Sequence, residues 1–529
     1  MLALVFSLAL AQATPEPAAS AAPAASPSAA PVPGAPLNVS PANVDLNPAQ
    51  QRTIAITGAA PPLEATLDKR LVTVAASADA TTVTVTASQA TGDDVLHLVD
   101  ASGAQADVPI RVAFNAGTIV PQTTLKVTGE PADPDWVAQQ VASSVARLTQ
   151  AQPGARTTIG AITPPAAPLQ PGGTAQFVVP VQIEGNSQYF DQTGSTTVSV
   201  QNVALDRFAP ELLFYDDDPE HVTQDGVFFR GSISAGRATR LYYYHDNTQD
   251  PRRLVLALRA NSQDPTQVQV VDATSGPNAD VMHVGHTVTQ KYLLAKQRGQ
   301  AIVLDLTDAP YFLQDITMGA RDLVAGSVDF RVLSGGPVTV TVLSVSPGID
   351  PRTLLDGPVL AGDGHHRTGT FTLSGFGSHS LSYAVGGPDV SVDIGDTQPT
   401  PPSADPAATG HDYGDYGVLH TIDLTLTNPS GAPATAYLYF KPFGGPARGG
   451  FLVDGNFVSV GCVRVPQPYQ ISVIDLAAGQ TQHTVVQTMT DGGSFLPVQI
   501  GITTTPPQPA APPITAPDGC FPKPAADSR

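Results

Sequence analysis

Short alternations of apolar and polar residues, bounded by Gly, Pro, Asn and Asp, recur along most of this chain at intervals of roughly ten to fifteen residues, as in small antiparallel sandwiches. Residues 38–115 carry six such runs. In TTVTVTAS, Val83 and Val85 face one way and the threonines the other. This predicts a first β-sandwich. Residues 121–205 break the pattern once: Asp133 offers an N-cap with Pro134 at the first helical position, and Trp136, Val137, Val141, Val145 and Leu148 follow at helical spacing until Pro153-Gly154. A helix over about 133–151 between two strands makes a small α+β unit, with Trp136 packing helix onto sheet. Residues 208–345 and 346–505 read as two further sandwiches. The Pro-rich stretch 397–410 lies within the second and is taken as a long loop rather than a linker that splits it. The expected fold is mainly β: tandem antiparallel, Ig-like β-sandwiches with one strand–helix–strand unit.

Composition agrees with this pattern. Charged residues are 14% of the 529, against about 25% in an ordinary domain. The 47 Gly and 51 Pro follow no collagen-like period and read as turns between short strands. A formal net charge of −20 repels phosphate backbones, so nucleic acid is not an expected partner.

The ends add export. Met1 to Ala13 (MLALVFSLALAQA) is an apolar core ending in an A-x-A cleavage pattern, the form of a signal peptide. Its charged n-region is missing, which leaves two readings: a start lying upstream, or a shortened signal. Residues 14–37 are nearly all Ala, Pro and Ser and read as a disordered spacer, and 506–529 read as a disordered tail. No other run reaches the ~18 apolar residues of a membrane helix, so no transmembrane segment is expected after signal removal. Cys462 and Cys520, the only cysteines, either pair and tie the tail to the last domain or remain free thiols.

Two resemblances follow from particular stretches. The runs of 38–115, closing on DDVLHLVDASGAQADVPIRVAF, resemble bacterial Ig-like repeats and the small N-terminal β-domain of pilus-assembly secretins. No secretin pore domain follows, so a secretion channel is not expected. The stretch LLFYDDDPEHVTQDGVFFRGSISAGRATRLYYYHDNT, with PNADVMHVGH and DYGDYGVLHTIDLTLTNPSG, is similar to secreted bacterial proteins, some linked to cell-wall or copper amine oxidase N-terminal-type modules. That similarity implies an envelope location and brings no activity with it.

Candidate chemistry is sparse. Asp216, Asp217 and Asp218, with Glu220, could hold a hard cation, but the D-x-D-x-D-G spacing of a calcium loop is absent and a solvated turn is the expected reading. His283 and His286 in VMHVGH, with Tyr244-His245-Asp246 upstream, carry the ligand types of a zinc or copper site. In a strand or turn, however, the first two point apart. Tyr242 and Tyr244 share a strand face opposite Tyr243 and, with His245, are the best candidates for carbohydrate or peptide contact, against core packing. His365-His366 reads as exposed loop, and Gly444 to Gly450 as a flexible hairpin turn. No G-x-S-x-G, H-E-x-x-H or phosphate-binding loop occurs.

The expectation is therefore an exported (periplasmic, cell-surface or extracellular), non-catalytic structural, adhesive or scaffolding protein of the bacterial envelope. It would use no cofactor and meet an envelope component or another surface protein. The alternatives are a carbohydrate- or peptide-binding module, and an enzyme whose site is assembled in space within 208–505.

Overall fold

The structure, a computed structural model, describes residues 36–395, 400–404, 411–509 and 520. The signal segment 1–13, nearly all of the spacer 14–37 and most of the loop 397–410 and the tail 506–529 lie outside the described residues. The chain is 53% strand and 8% helix, so the mainly-β expectation holds. It divides into two compact units, one ending at Asn115 and one beginning at Ala116.

The first unit is a sandwich of two four-stranded sheets. One has the strand order Asn38–Ser40, Gln51–Thr57, Thr82–Ala87, Val72–Ala76, and the other Val44–Leu46, Gln105–Val112, Gly92–Asp100, Leu63–Leu67. Alternation sets which side chains enter: Val83 and Val85 are fully buried and meet Ile54, Leu96, Leu98 and Val108 in one core.

The second unit is built on an eleven-stranded sheet. It runs from Arg156–Ile159 through Thr174–Glu184, Gln192–Asn202, Gln122–Thr128, Ala301–Leu306, Thr266–Asn278, Asp322–Ser334, Thr239–Asn247 and Leu212–Asp216 to Thr368–Thr372, with His221–Val222 beside Thr239–Asn247. Residues from the segments 121–205, 208–345 and 346–505 thus share one sheet. Helix α1 (Pro134–Leu148) covers one end of it. Asp133 caps α1, its side chain accepting from the Asp135 and Trp136 N–H groups, and Val137, Val141 and Val145 are buried. The same core continues to a four-stranded sheet of Gly226–Ile233, Val338–Val345, Arg252–Ala260 and Tyr311–Met318.

Helix α2 (Val281–Arg298) corrects the strand-or-turn reading of VMHVGH. Asp280 caps its start through the His283 N–H, and Gly299, in the left-handed region at φ 63°, ends it. α2 lies between the large sheet and a second sandwich, packing Tyr292 and Leu293 with Ala273 on one side and with Leu452 and Met489 on the other. That sandwich pairs a five-stranded sheet (Ser378–Ala384, Leu419–Thr427, Thr481–Met489, Ala447–Val453, Asn456–Val463) with a four-stranded one (Val390–Ile394, Val498–Thr503, Ala434–Pro442, Tyr469–Leu476). Arg448, Gly449 and Gly450 are buried strand residues here, so the predicted flexible turn is confined to 443–446. Cys462 and Cys520 form a disulfide, with Cα atoms 5.7 Å apart.

The seam between sheet, helix and sandwich is polar. Arg240, with no exposed surface, sits directly across from Asp329 in the neighbouring strand and donates to both of its carboxylate oxygens at 2.6 and 2.9 Å. It also donates to the Gly417 carbonyl at 2.6 Å and to the Tyr292 hydroxyl, which itself donates to Asp329 at 3.0 Å. Nearby, His420 is buried against His379 (His420 Nδ1 to His379 Nε2, 3.0 Å; ring centroids 5.3 Å).

Two predictions come from this seam. Asp329→Ala leaves a buried guanidinium without its counter-charge and should destabilise the second unit by about 3–5 kcal/mol. Thermal unfolding checks this, and an unchanged melting temperature would disprove the role given to the pair. His420 is the second case. Burial and the neighbouring His379 push its pKa from 6.5 down to about 3, with Asp415, 3.7 Å away, and Phe376 as its other facing groups. A lowered pKa means the unfolded chain takes the proton more readily. The stabilisation is therefore complete above pH 6.5 and is lost progressively as pH falls toward 3, amounting to about 3 kcal/mol near pH 4. His420→Gln should flatten that acid limb relative to wild type in melts between pH 4 and 7.

Candidate functional site

Strand pairing brings the acidic run to one edge of the large sheet. Leu212–Asp216 runs parallel to Thr239–Asn247 and antiparallel to Thr368–Thr372, with Asp216 facing Thr368. The chain after Asp216 must therefore lie beside the loop before Thr368, and the Asp217 N–H donates to the Arg367 carbonyl at 3.0 Å. His221 pairs with Asp246, and the Asp246 N–H donates to the Glu220 carbonyl. Three segments, 216–221, 245–246 and 363–366, thus meet.

Their side chains interlock. His245, fully buried, has Nε2 3.2 Å from Asp216 Oδ2 and Nδ1 3.0 Å from the Pro219 carbonyl. His221 Nδ1 lies 2.5 Å from Asp246 Oδ1. His366 Nε2 lies 2.5 Å from Glu220 Oε2, and its Nδ1 lies 2.6 Å from Asp363 Oδ2. Asp363 accepts in addition from the His365 and His366 N–H groups, and its own N–H donates to Asp218 at 2.6 Å. Asp216 Oδ1 and Asp217 Oδ1 are buried without a hydrogen-bond partner.

The solvated-turn reading is corrected at Asp216, a strand residue with no exposed surface, whereas Asp218 and Glu220 are partly exposed in the turn that follows. Burial, and then the charge of Glu220, pushes the Asp217 carboxyl up to about 7. Burial raises Asp216 as well, against the pull of His245. Burial opposes charge on His366, yet its bond to Asp363 and the Glu220 charge raise its pKa. The bond to Asp246 does the same for His221. The crowded carboxylates thus favour positive charge on these histidines, against the cost of burial. His366 is half-buried in this network, whereas His365 is exposed as expected.

The other candidates separate. Tyr242 is 3% exposed and stacks between Tyr215 and Tyr416, with ring centroids 5.5 and 5.9 Å away. It belongs to a buried aromatic cluster, not to a contact face. Tyr244 is partly buried at the margin of that cluster, and Tyr243, on the opposite face, bonds Thr274 at 2.8 Å within the main core. His283 and His286 lie on α2 and do not join the acidic run. His286 Nδ1 is 2.6 Å from Asp491 Oδ2 and its Nε2 is 2.8 Å from Ser459 Oγ, an order of groups that also serves nucleophilic catalysis. Here it ties α2 to an edge strand and a loop of the sandwich. Beside it α2 lies so close to the loop that a Cβ at Gly285 would collide with the Gly492 backbone.

A cleft of about 370 Å³ opens between α1 and α2, lined among others by Trp136, Gln140, Arg147, Asp272, Lys291 and Gln314. Asp272 on its floor accepts from Thr274 Oγ1 at 2.7 Å and from Gln314 Nε2 at 2.5 Å. Trp136 packs on the core as expected and also borders this cleft. His221, Asp363, Ser459, Asp491 and Asp272 were not singled out from sequence, and Asp246 was grouped there with His283 and His286, which lie on α2 instead. Most of their partners lie far along the chain; the Glu220-His221 adjacency and the three-residue spacing of Asp363 and His366 were the local signals.

No protein-family model matches the chain, and no curated protein matches it. Solved structures it resembles include Drosophila N-cadherin EC1-4, at 12% identity over 38% of this chain and 63% of that chain, with a TM-score of 0.12. Yersinia pseudotuberculosis InvD follows at 11% identity over 60% of this chain and 98% of that chain (TM-score 0.14). Bacteroides ovatus SGBP-B, solved with a mixed-linkage heptasaccharide, has 12% identity over 56% of this chain and 70% of that chain (TM-score 0.13). The chain covers less than two thirds of the cadherin fragment's length, and TM-scores at this level carry no argument about function.

Proposed function

We propose that the chain is an exported, non-catalytic scaffolding or adhesive component of the bacterial cell envelope. The observation that supports this most is the fusion of the second unit. One sheet gathers strands from Gln122 to Thr372, and the following sandwich is joined to it through α2 and the fully buried Arg240–Asp329 pair. Relative domain motion is the default unless the interface between domains is large and well packed. Here α2 packs Leu293 and Tyr292 against Leu452 and Met489, and buried Arg240 reaches from the sheet to Tyr292 and the Gly417 carbonyl. These contacts resist such motion and suit a part that holds a partner at a fixed position. Among the described residues no helix is long and apolar enough to cross a membrane, so attachment would come through a partner or through residues outside those described.

The α1–α2 cleft favours a second reading, a carbohydrate- or peptide-binding protein, because its volume falls in the ligand range of roughly 300–1,000 Å³ and it combines one indole with several polar groups.

Fractionation of the native host with antibody detection, followed by crosslinking of intact cells, tests the proposal. Recovery in the envelope fraction with a crosslinked surface partner is the expected result. A free monomer in the medium or periplasm would sink it and shift weight to the cleft. Covalent capture of Ser459 by a fluorophosphonate probe, absent in His286→Ala, would overturn the non-catalytic part.

A further inference from the structure

We propose that Glu220, His221, Asp246 and His366 form a site for one divalent transition-metal cation of the zinc class. The inference is independent of the scaffolding reading. Ligand atoms of Glu220, His221 and Asp246 lie within 4.8 Å of one another, a spread that modest side-chain rotation brings to zinc bonds of about 2.0–2.2 Å. His366 Nε2 adjoins the same Glu220 carboxylate, and the His221 and His366 rings meet edge to face with centroids 5.8 Å apart. Two imidazoles and two carboxylates are a donor set for zinc, whereas calcium takes six to eight oxygens.

The geometry around His366 carries the argument furthest. Its Nδ1 lies 2.6 Å from Asp363, a carboxylate already accepting from two backbone N–H groups, and this contact fixes the ring with Nε2 toward Glu220. Nε2 lies 2.5 Å from Glu220 Oε2, so the ring converges on the carboxylate that Glu220 also turns toward His221 and Asp246. Histidine ligands characteristically donate their second N–H to a carboxylate in this way, which fixes the ring and raises its basicity. Asp363 is thus a positioning residue, itself held by its N–H bond to Asp218. The surroundings point the same way. Asp216, Asp217, Asp218, Glu220, Asp246 and Asp363 crowd six carboxylates around three imidazoles, and buried Asp216 and Asp217 each keep one oxygen without a donor. His221 is half exposed, so an ion has a path in from solvent.

The test uses the untagged full chain, stripped with a chelator and then freed of it. Titration with Zn²⁺ in a calorimeter should show one ion per chain, and Co²⁺ should give the visible absorption of a tetrahedral N/O site. Asp363→Asn should weaken Zn²⁺ binding by about 10–100-fold, as loss of an outer-shell partner does. Glu220→Gln combined with His366→Gln should abolish the Co²⁺ band, with circular dichroism confirming that the variants fold. Absence of Zn²⁺ uptake, or a Co²⁺ band that survives the double substitution, overturns the proposal. So does uptake of Ca²⁺ with no response to Zn²⁺. If imidazolium alone bridges Glu220 and Asp363, the protein binds neither metal and the first of these outcomes is seen.

Discussion

A single guanidinium, Arg240, determines how the second unit is put together. It projects from a central strand of the large sheet, is completely removed from water, and spends its donors on three different layers: Asp329 in the sheet, Tyr292 on α2 and the Gly417 carbonyl at the entrance to the sandwich. A buried charge is costly unless geometry and extra hydrogen bonds satisfy it. Register places Asp329 directly across the strand pair, which provides the first condition without distortion. α2 and the sandwich provide the rest. Sliding either layer would strand a donor or an acceptor in the interior, so the polar seam selects one docking arrangement where an apolar seam would tolerate several. The other contacts of α2 depend on that choice. Gly285 can lie against the Gly492 backbone, and His286 can reach both Asp491 and Ser459, only when the helix sits at this depth.

The acidic edge is a consequence of the same sheet. Thr368–Thr372 adds to Leu212–Asp216 at the margin, and the chain entering it is forced to pass over the turn at 217–220. The 216–220 turn is rich in like charges, whereas the 363–367 loop closes on itself through Asp363. They are held together by histidines: His366 joins 363 to 220, His221 joins the turn to Asp246, and His245 anchors Asp216 from below. These side-chain ties, added to the backbone pairing, are strongest when positive charge is retained there. That ties its structure to its chemistry more closely than at any other described part of the surface.

Elements whose signals are local were legible in the sequence. Val83 and Val85 alternate with threonines and become core, and α1 is announced by Asp133-Pro134 and by valines at 137, 141 and 145. α2 was not legible. Val281, Val284, Thr287, Val288 and Thr289 are β-branched and Gly285 is a poor helix former, so the propensity of its first half favours a strand. Its start and stop signals, Asp280 and Gly299, were present but easily outweighed. Burial of Met282, Val284, Val288, Tyr292 and Leu293 between two sheets supplies the helix stability that propensity lacks. The Asp216–Asp218 run failed for another reason. Three successive carboxylates suggest solvent, yet their environment is set by Asp363 and His366, almost 150 residues away. Nothing in a local window encodes that meeting.

The histidines of this chain show why residue type alone could not locate its chemistry. His420 and His366 share a side chain and a nominal pKa, yet the fold puts them to opposite uses. In the seam, His420 faces His379 and an aromatic ring with its carboxylate neighbour held beyond hydrogen-bonding distance, so only the neutral ring is tolerated. At the sheet edge, His366 is gripped on both nitrogens by carboxylates, so a bare neutral ring is the disfavoured state. The difference lies entirely in which strand ends deliver which neighbours. A structural histidine therefore marks where the protein has excluded charge, and a candidate functional one marks where it has gathered more negative charge than its own cations balance. By that criterion the edge built from 216–221, 245–246 and 363–366 is the part of the described surface organised around an external cation, while the equally histidine-rich seam is organised to keep one out.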